Sequence, residues 1–340
     1  MRLLFASTFE HLPELVGGLQ TTLHELTLEL RRQGVEVAVL CGTDAPARRD
    51  GALGYEVVRD PDPISALAAV AGALQPDAIV VQTGPKMVRL LVAALDSGRA
   101  AAVYLHNVEQ SELGGVLLPD PAILYLANSP FTAARWRALF GLDCAVVPPC
   151  IDRDVYRVET TRERVLFINP TAVKGVELIF ELAAARARLP FTVVESWTLD
   201  PHWRAYCHQR AARLGNIDWH APTADMRPLY GRARVLLMPS IWEETYGRAI
   251  TEAQLSGIPA LASRRGNLVE TVGPGGLTVD VHAPLADWLD ALDRLWVDPD
   301  GGFAAAARTH AGRVALDPGH IAAHFARLMA NHVAAQPRVS

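Results

Sequence analysis

The sequence predicts an α/β protein built from two doubly wound, largely parallel sheets. Short runs rich in Val, Leu and Ile alternate with helical patterns along most of the chain, which is typical of β-α-β units. Most of these runs are apolar on both faces, as parallel strands covered by helices on both sides are. The alternation breaks at Val147-Pro-Pro-Cys-Ile-Asp152 and restarts at Arg164. A length of 340 residues also fits two domains.

The first domain is expected over residues 1–152. After the first strand, Leu19, Leu23, Leu26 and Leu30 recur at helical spacing, and Gly34 ends the pattern. This β-α-β start favours a doubly wound sheet. The predicted strands are 2–8, 36–42, 55–59, 77–83, 101–107, 123–129 and 144–148.

The second domain is expected over residues 153–318, after a linker near 150–163. The residues 319–340 are predicted to form a C-terminal helix that packs back on the first domain. Two such domains, side by side, would place ligand groups in loops that follow strands, in a cleft between the carboxyl ends of the two sheets. The predicted strands are 164–169, 191–195, 217–219, 234–239, 259–263 and 277–279.

Composition narrows the function classes. The formal net charge of −5 favours neither nucleic acid nor an anionic membrane as the main partner. The four cysteines are scattered, so neither a zinc site nor a disulfide framework is predicted. We find no signal-peptide pattern and no apolar run of membrane-spanning length, and we therefore expect a cytoplasmic protein.

Two short motifs precede predicted helices. Gly17-Gly18 follows the first strand, where a close backbone and free N–H groups would suit an anion; a plain turn is the alternative. Lys174-Gly175 holds the corresponding place in the second domain. A lysine opposes the dipole of a helix N-terminus, which indicates a nearby anion, although a solvated lysine explains it too.

The strongest feature is the segment Glu244-Thr-Tyr-Gly-Arg-Ala-Ile-Thr-Glu252. Glu244 lies in a loop after a strand, and a helix is predicted to begin near Gly247, so that Glu252 lies early in that helix. Carboxylates accept hydrogen bonds from sugar hydroxyls, and free helix N–H groups suit a phosphate. The alternatives are a solvated loop acid for Glu244 and an acid that complements the helix dipole for Glu252.

Two further residues are candidates by position. Arg248 stands at the same helix start and opposes its dipole, as Lys174 does. His106 ends the strand Ala101-Ala-Val-Tyr-Leu-His106, at an edge where ligands bind. A hydrogen-bonded structural histidine is the alternative there.

Together these motifs resemble the retaining glycosyltransferases of family 4, which have the GT-B fold of two Rossmann-like domains facing a central cleft. The most specific match is Glu244-x7-Glu252 with Pro239-Ser240 before it and Gly257-Ile-Pro259 after it. The weaker matches, in the family's order, are Gly17-Gly18, Leu105-His106-Asn107, Ala127-Asn128-Ser129, Val147-Pro-Pro-Cys-Ile-Asp152 and Lys174-Gly175.

The resemblance implies transfer of a hexose-type sugar from a UDP- or GDP-linked donor to an unidentified acceptor, with no cofactor and no metal. Lys174 and the Gly17-Gly18 backbone would bind the diphosphate, Glu244 the sugar hydroxyls, and Glu252 the ribose. Front-face transfer would retain the configuration, with the protein supplying positioning and electrostatic stabilisation. The expected catalytic residues are His106, Lys174 and Glu244, and the expected donor-binding residues are Gly17, Gly18, Asn169, Tyr246, Gly247, Arg248 and Glu252.

The chain departs from the family pattern at three places. Asn169 stands where an arginine is usual, Arg248 where an apolar residue is usual, and Glu195-Ser196-Trp197 where a Gly-x-Gly-like turn is common. We therefore expect Arg248 to supply the phosphate charge that Asn169 lacks.

Other functions remain open on the sequence alone. A sugar-nucleotide epimerase or other GT-B relative would bind the same donor, and a two-domain ligand-binding protein would need no catalysis. A nicotinamide dehydrogenase is disfavoured because Gly17-Gly18 lacks the third glycine of the dinucleotide motif. A helix with Trp136, Arg135 and Arg137 would allow at most peripheral membrane contact, and a packed amphipathic helix is the favoured interpretation.

Overall fold

The computed structural model describes residues 1–336. The predicted C-terminal segment 319–340 therefore lies partly outside the described residues, at 337–340. The chain divides into two compact units: unit 1 comprises Met1–Cys150 and the residues from Ala315 on, and unit 2 comprises Ile151–Val314.

Unit 1 is built on an eight-stranded sheet in the order β3-β4-β2-β1-β5-β6-β7-β8. All neighbouring strands are parallel except β3 and β4, which are antiparallel. The strands are β1 Arg2–Ala6, β2 Glu36–Gly42, β3 Arg48–Asp50, β4 Glu56–Asp60, β5 Ala78–Gln82, β6 Ala100–Leu105, β7 Ile123–Ala127 and β8 Ala145–Val146.

Helices cover both faces of this sheet, and alternate residues of each strand enter opposite cores. Leu3 and Phe5 join the core under α1 and α13, whereas Leu4 and Ala6 join the core under α2, α3 and α4. The C-terminal helix thus packs on unit 1, with the Phe325 ring 5.7 Å from that of Phe5. The helices are α1 Gly18–Arg32, α2 Pro63–Leu74, α3 Met87–Asp96, α4 Pro130–Phe140 and α13 Pro318–Ala335, with a 3-10 turn at Gln110–Glu112.

Unit 2 is built on a six-stranded parallel sheet in the order β11-β10-β9-β12-β13-β14. The first strand of the unit, β9, lies beside β12, so the strand order reverses at the centre of the sheet. Ligands of open α/β sheets bind at such a point, outside the carboxyl ends of the strands. The strands are β9 Arg164–Ile168, β10 Phe191–Val194, β11 Ile217–His220, β12 Ala233–Met238, β13 Ala260–Ser263 and β14 Gly276–Val279.

The helices of unit 2 also form two layers. One core packs under α6, α7 and α11, and the other under α5, α8, α9, α10 and α12. The helices are α5 Arg153–Tyr156, α6 Val176–Ala185, α7 Pro201–Leu214, α8 Arg227–Tyr230, α9 Arg248–Leu255, α10 Leu268–Val272, α11 Leu285–Val297 and α12 Gly302–Ala311, with 3-10 turns at Ala172–Lys174 and Gly273–Gly275. A further 3-10 turn, Val314–Leu316, begins at the last residue of unit 2 and ends in unit 1.

The predicted α/β class with two parallel sheets is confirmed, and every predicted strand is present. One additional strand, β3, has the sequence Arg-Arg-Asp, which carries no apolar pattern that would predict it. Within residues 1–336, no helix combines the length and the apolar character needed to cross a membrane.

Candidate functional site

In unit 2, Lys174 and Glu244 form an ion pair beyond the carboxyl ends of β9 and β12. Lys174 Nζ donates a hydrogen bond to Glu244 Oε1, and Ser240 Oγ donates to the same oxygen at 2.8 Å. The two side chains are 15% and 12% exposed. The pair is therefore mostly shielded from water, yet part of each charged group is open to a ligand.

The backbone explains why these two loops meet. Gly175 has a left-handed φ of +85°, and a Cβ there would lie 2.2 Å from Pro239 O, so only glycine fits. The Val173 carbonyl accepts hydrogen bonds from the amides of Ile241, at 3.0 Å, and Trp242, at 3.1 Å. The turn that carries Lys174 is thus joined directly to the loop that carries Glu244.

A second glycine fixes the Glu244 backbone from the other side. Gly266 has a φ of +56°, and a Cβ there would lie 2.1 Å from Glu244 O. That carbonyl oxygen also accepts the Asn267 amide at 2.8 Å. Sequence reasoning missed Gly266, although its place just after β13, in the same relative position as other loop residues of the site, was a usable signal.

The helix α9 starts where the sequence predicts, after Gly247. This residue caps the helix with a left-handed φ of +84°, which a glycine adopts without strain. The neighbouring Tyr246 side chain belongs to the core and is 8% exposed, with its hydroxyl 3.3 Å from Thr251 Oγ1. The expectation that Tyr246 binds the donor stays a prediction; its side chain packs inside the loop.

Arg248 and Glu252 form a second ion pair, one helical turn apart. Arg248 Nε donates to Glu252 Oε1 at 2.6 Å, and Tyr230 Oη donates to Glu252 Oε2 at 2.7 Å. The side chains of Arg248 and Glu252 are 10% and 9% exposed. Both carboxylate oxygens of Glu252 thus have protein partners, and burial followed by the Glu252 charge raises the pKa of Tyr230 well above its ordinary value.

The Arg248 guanidinium is also held by an aromatic residue. Its Nη2 donates to Tyr156 Oη at 2.9 Å, and its Cζ lies 5.3 Å from the centre of the Tyr156 ring. The hypothesis that Arg248 supplies charge to a phosphate stays a prediction. In this structure the guanidinium contacts Glu252 and Tyr156.

Asn169 follows β9 and has a left-handed φ of +68°, which asparagine tolerates better than most residues. Its side-chain oxygen is buried, and so is the Thr171 hydroxyl; within residues 1–336 neither has a hydrogen-bond partner. Buried polar atoms without a partner are rare in folded proteins. The turn that leads to Lys174 carries two of them.

In unit 1, His106 follows β6 as predicted. Its Nε2 lies within hydrogen-bonding distance of Gln82 Oε1, at 3.0 Å. Its backbone amide donates to Thr83 Oγ1 at 2.8 Å, and the Tyr104 ring centre lies 4.0 Å from its own. Desolvation lowers the pKa of His106 to about 3, so the imidazole is neutral at physiological pH.

Gly17 and Gly18 stand at the N-terminus of α1, as predicted. Gly17 has an extended backbone with a φ of −152°, and a Cβ on Gly18 would meet nothing within 4 Å. Gly18 therefore borders open space, whereas a Cβ on Gly17 would lie 2.8 Å from Gln20 Oε1.

The loop between β1 and Gly17 is held by Arg59, a residue that sequence reasoning missed. Arg59 lies in β4 and is 2% exposed. Its guanidinium donates to Leu12 O at 2.7 Å and pairs with Glu14 at 2.7 Å and Asp50 at 2.9 Å. A charged residue within an apolar strand was the available signal, because a buried charge requires partners.

The two units thus offer different chemistry. Unit 2 presents an ammonium and a carboxylate beside a helix start, which suit a phosphate and hydroxyl groups. Unit 1 presents a neutral imidazole and backbone N–H groups. In the part of the chain that the structure describes, no group of three or more His, Cys, Asp or Glu residues is arranged to hold a metal ion.

Each of the two units matches the model of a known protein family. A family model described as "Glycosyltransferase Family 4" matches residues 16–155, and one described as "Glycosyl transferases group 1" matches residues 163–298. The two matches leave out mainly the ends of the chain and the segment that joins the units.

Curated relatives are similar over part of their length. The chain is 29% identical over 229 residues to D-inositol 3-phosphate glycosyltransferase of Arthrobacter sp. (strain FB24), which is 59% of this chain and 54% of that protein. It is 30% identical over 114 residues to O-antigen chain mannosyltransferase B of Escherichia coli, which is 32% of this chain and 29% of that protein. The chain thus spans about half the length, or less, of these two relatives.

Solved structures are similar over nearly the whole chain. Anabaena HepE in complex with UDP-glucose has a TM-score of 0.78 at 18% identity, covering 97% of this chain and 100% of that one. Sucrose-phosphate synthase of Thermosynechococcus elongatus has a TM-score of 0.78 at 15% identity, covering 98% and 100%. At this identity the likeness concerns the fold, and it confirms the predicted GT-B fold.

Proposed function

The chain belongs to the group 1 glycosyltransferases of family 4 type, and from this premise we propose that it transfers a sugar from a nucleoside diphosphate sugar to an acceptor. The observation that carries the proposal is the Lys174–Glu244 pair, beyond the carboxyl ends of β9 and β12. Lys174 supplies positive charge to the diphosphate, and Glu244 accepts hydrogen bonds from the hydroxyls of the sugar.

The composition of the chain adds weight to Lys174. Of 32 basic residues, only Lys86 and Lys174 are lysines, so arginine is the usual cation of this protein. A lysine is a compact point charge that binds phosphate without the fixed geometry of a guanidinium. Lys174 lies beside Ser240, Glu244 and the start of α6, and this position suits the binding of a phosphate.

We further propose that transfer retains the anomeric configuration and requires no metal. Lys174 and the N–H groups near α9 stabilise the departing diphosphate, and the leaving phosphate takes the proton of the acceptor hydroxyl. Glu244 and His106 position the donor sugar. Because its pKa is lowered to about 3, His106 acts as a neutral hydrogen-bonding group and not as an acid.

The donor is proposed to be a hexose linked to UDP or GDP. Solved neighbours of the same fold include Anabaena HepE with UDP and with UDP-glucose. UDP is therefore the first nucleoside diphosphate to test. The names of several curated relatives specify D-inositol 3-phosphate, so this compound is the first acceptor to test.

A panel of nucleoside diphosphates and their sugars, followed by thermal unfolding, tests the proposal. A ligand that binds the folded state alone raises the melting temperature by mass action, and we expect a rise with UDP or GDP and with the matching sugar nucleotide. Lys174→Met should reduce the rise at the same nucleotide concentration, and Lys86→Met should leave it unchanged. No shift with any nucleotide would contradict the proposal.

Reaction assays separate transfer from the other activities of the fold. Transfer predicts that release of nucleoside diphosphate increases when an acceptor is added, and that EDTA leaves the rate unchanged. An epimerase would convert the donor with no acceptor present. Nuclear magnetic resonance of the product should show the anomeric configuration of the donor, and an inverted product would contradict retention.

A further inference from the structure

An exposed tryptophan lies against the Lys174 ammonium. Trp197 follows β10 and is 43% exposed, and Lys174 Nζ lies 5.1 Å from the centre of its ring. Leaving a large aromatic surface in water forgoes the free energy of burying it. Such a residue beside a charged site is therefore suited to a ligand that covers it.

The surrounding contacts fix both ends of the loop that carries Trp197. At its start, Glu195 is 6% exposed and its Oε1 accepts from Trp219 Nε1 at 2.7 Å and Arg204 Nε at 2.8 Å. At its end, Asp200 caps α7 by accepting the Trp203 amide at 3.0 Å.

A third contact joins α7 to the turn that carries Lys174. Trp203 Nε1 donates to Pro170 O at 3.0 Å. A short loop with fixed ends thus carries the Trp197 ring over Lys174. A preorganised binding group loses little conformational entropy when a ligand binds.

Resting on the proposed function, we infer that Trp197 is a further binding residue of the donor site, whose ring stacks on the base of the nucleoside diphosphate. Lys174 contacts two groups, the Glu244 carboxylate and the Trp197 ring. If Lys174 binds the diphosphate and Glu244 marks its sugar end, the ring marks the nucleoside end. Every base offers a flat π-face to an aromatic side chain.

The test compares a nucleotide with a probe that lacks the base. Wild-type protein, Trp197→Ala and Trp197→Phe are titrated calorimetrically with UDP or GDP, whichever the wild type binds, and with inorganic pyrophosphate as its competitor. Because Trp197→Ala loses base stacking, this variant should bind the nucleotide about five- to 150-fold more weakly than the wild type does. Pyrophosphate binding should change by less than about twofold, and Trp197→Phe should retain most of the nucleotide affinity, because its smaller ring still stacks.

Tyr206→Ala is the matched control. Tyr206 is an exposed aromatic residue of α7, 37% exposed, with the Arg210 Cζ 5.8 Å from its ring centre. Its removal should leave both affinities unchanged. Circular dichroism of each variant checks that unit 2 remains folded.

The remaining outcomes overturn the inference in distinguishable ways. Equal weakening of nucleotide and pyrophosphate would show that Trp197 acts through Lys174 and not on a base. Unchanged binding of both would leave the ring without a role, and failure of pyrophosphate to compete in the wild type would remove Lys174 as the phosphate ligand. A wild type that binds no nucleotide would contradict the proposed function itself.

Discussion

The two units use charge differently around their candidate residues. In unit 2 the candidate residues are themselves ionic, and they pair with one another: Lys174 with Glu244, and Arg248 with Glu252. In unit 1 the buried charge of Arg59 supports a loop, while the candidate His106 is neutral. Substitutions at the ionic residues of unit 2 should therefore change stability or donor affinity, whereas substitution of His106 in unit 1 should change turnover.

The largest expected effect is on the stability of unit 2. Glu252→Gln keeps the shape of the side chain but removes the carboxylate charge that lies 2.6 Å from the buried Arg248 Nε. Breaking a buried pair in this way costs about 3–5 kcal/mol. Urea unfolding, followed by tryptophan fluorescence, should show a loss of that size in the free energy of unfolding.

A double variant sharpens this prediction. Arg248→Met with Glu252→Gln removes both charges and keeps an amide oxygen that accepts from Tyr230. It should recover most of the stability, because removal of one charge of a buried pair costs more than removal of both. If the free energy of unfolding of Glu252→Gln lies within about 1 kcal/mol of the wild-type value, the pair is too solvated to stabilise the fold.

The next effect is on donor affinity. Lys174→Met removes the cation that we assign to the diphosphate and leaves Glu244 facing it. Loss of a shielded charged contact should weaken nucleotide binding by about 2–3 kcal/mol, roughly 30- to 150-fold. Titration calorimetry with UDP or GDP measures this.

A companion variant isolates the repulsion from Glu244. In Lys174→Met combined with Glu244→Gln, part of the lost affinity should return, since the unpaired carboxylate no longer faces the phosphates. An affinity unchanged by Lys174→Met would move the phosphate site away from this pair and would favour Arg248 as its ligand.

A smaller effect is expected on turnover from unit 1. His106→Asn keeps a polar group at the end of β6 but changes the position of its hydrogen bond. The rate should fall about tenfold, equivalent to about 1.4 kcal/mol, while nucleotide affinity changes by less than about twofold. If His106→Asn lost as much nucleotide affinity as Lys174→Met does, the assignment of donor affinity to unit 2 and of turnover to His106 would be wrong.

The pH dependence of the rate tests the charge state of the same residue. Because the pKa of His106 lies at about 3, its imidazole stays neutral across the pH range in which the enzyme is assayed. The rate profile between about pH 5 and pH 9 should therefore have the same shape in the wild type and in His106→Asn. An ionisation near neutrality that the variant abolishes would contradict a neutral role.

Much of the fold and part of the site are predictable from the sequence. Apolar runs specify the parallel strands because their side chains are buried on both faces. Glycine at Gly175 and Gly247 and the charge at Lys174 stand out locally. Long-range pairing is not visible in this way: that Arg248 would bind Tyr156, or Arg59 the loop at Leu12, depends on which elements become neighbours.

The smallest predicted effect concerns His11, in the loop that precedes Gly17. Its ring is buried with Nε2 2.8 Å from Tyr55 Oη, and burial, followed by the Arg59 charge, lowers its pKa from 6.5 to about 4. In the unfolded chain His11 takes up a proton near pH 6.5, but in the folded protein it does so only near pH 4. Stability from this residue is thus lost as the pH falls through that window.

The size of this effect is set by the unfolded pKa and hardly by the folded one. Between pH 7 and pH 6 the unfolded state gains about half a proton that the folded state does not, which costs about 0.7 kcal/mol. Urea unfolding at both pH values should show His11→Asn losing less stability than the wild type by that amount. Equal losses would mean that the folded protein takes up a proton at His11 as readily as the unfolded chain, and that this loop of unit 1 opens to water far more easily than the ionic loops of unit 2.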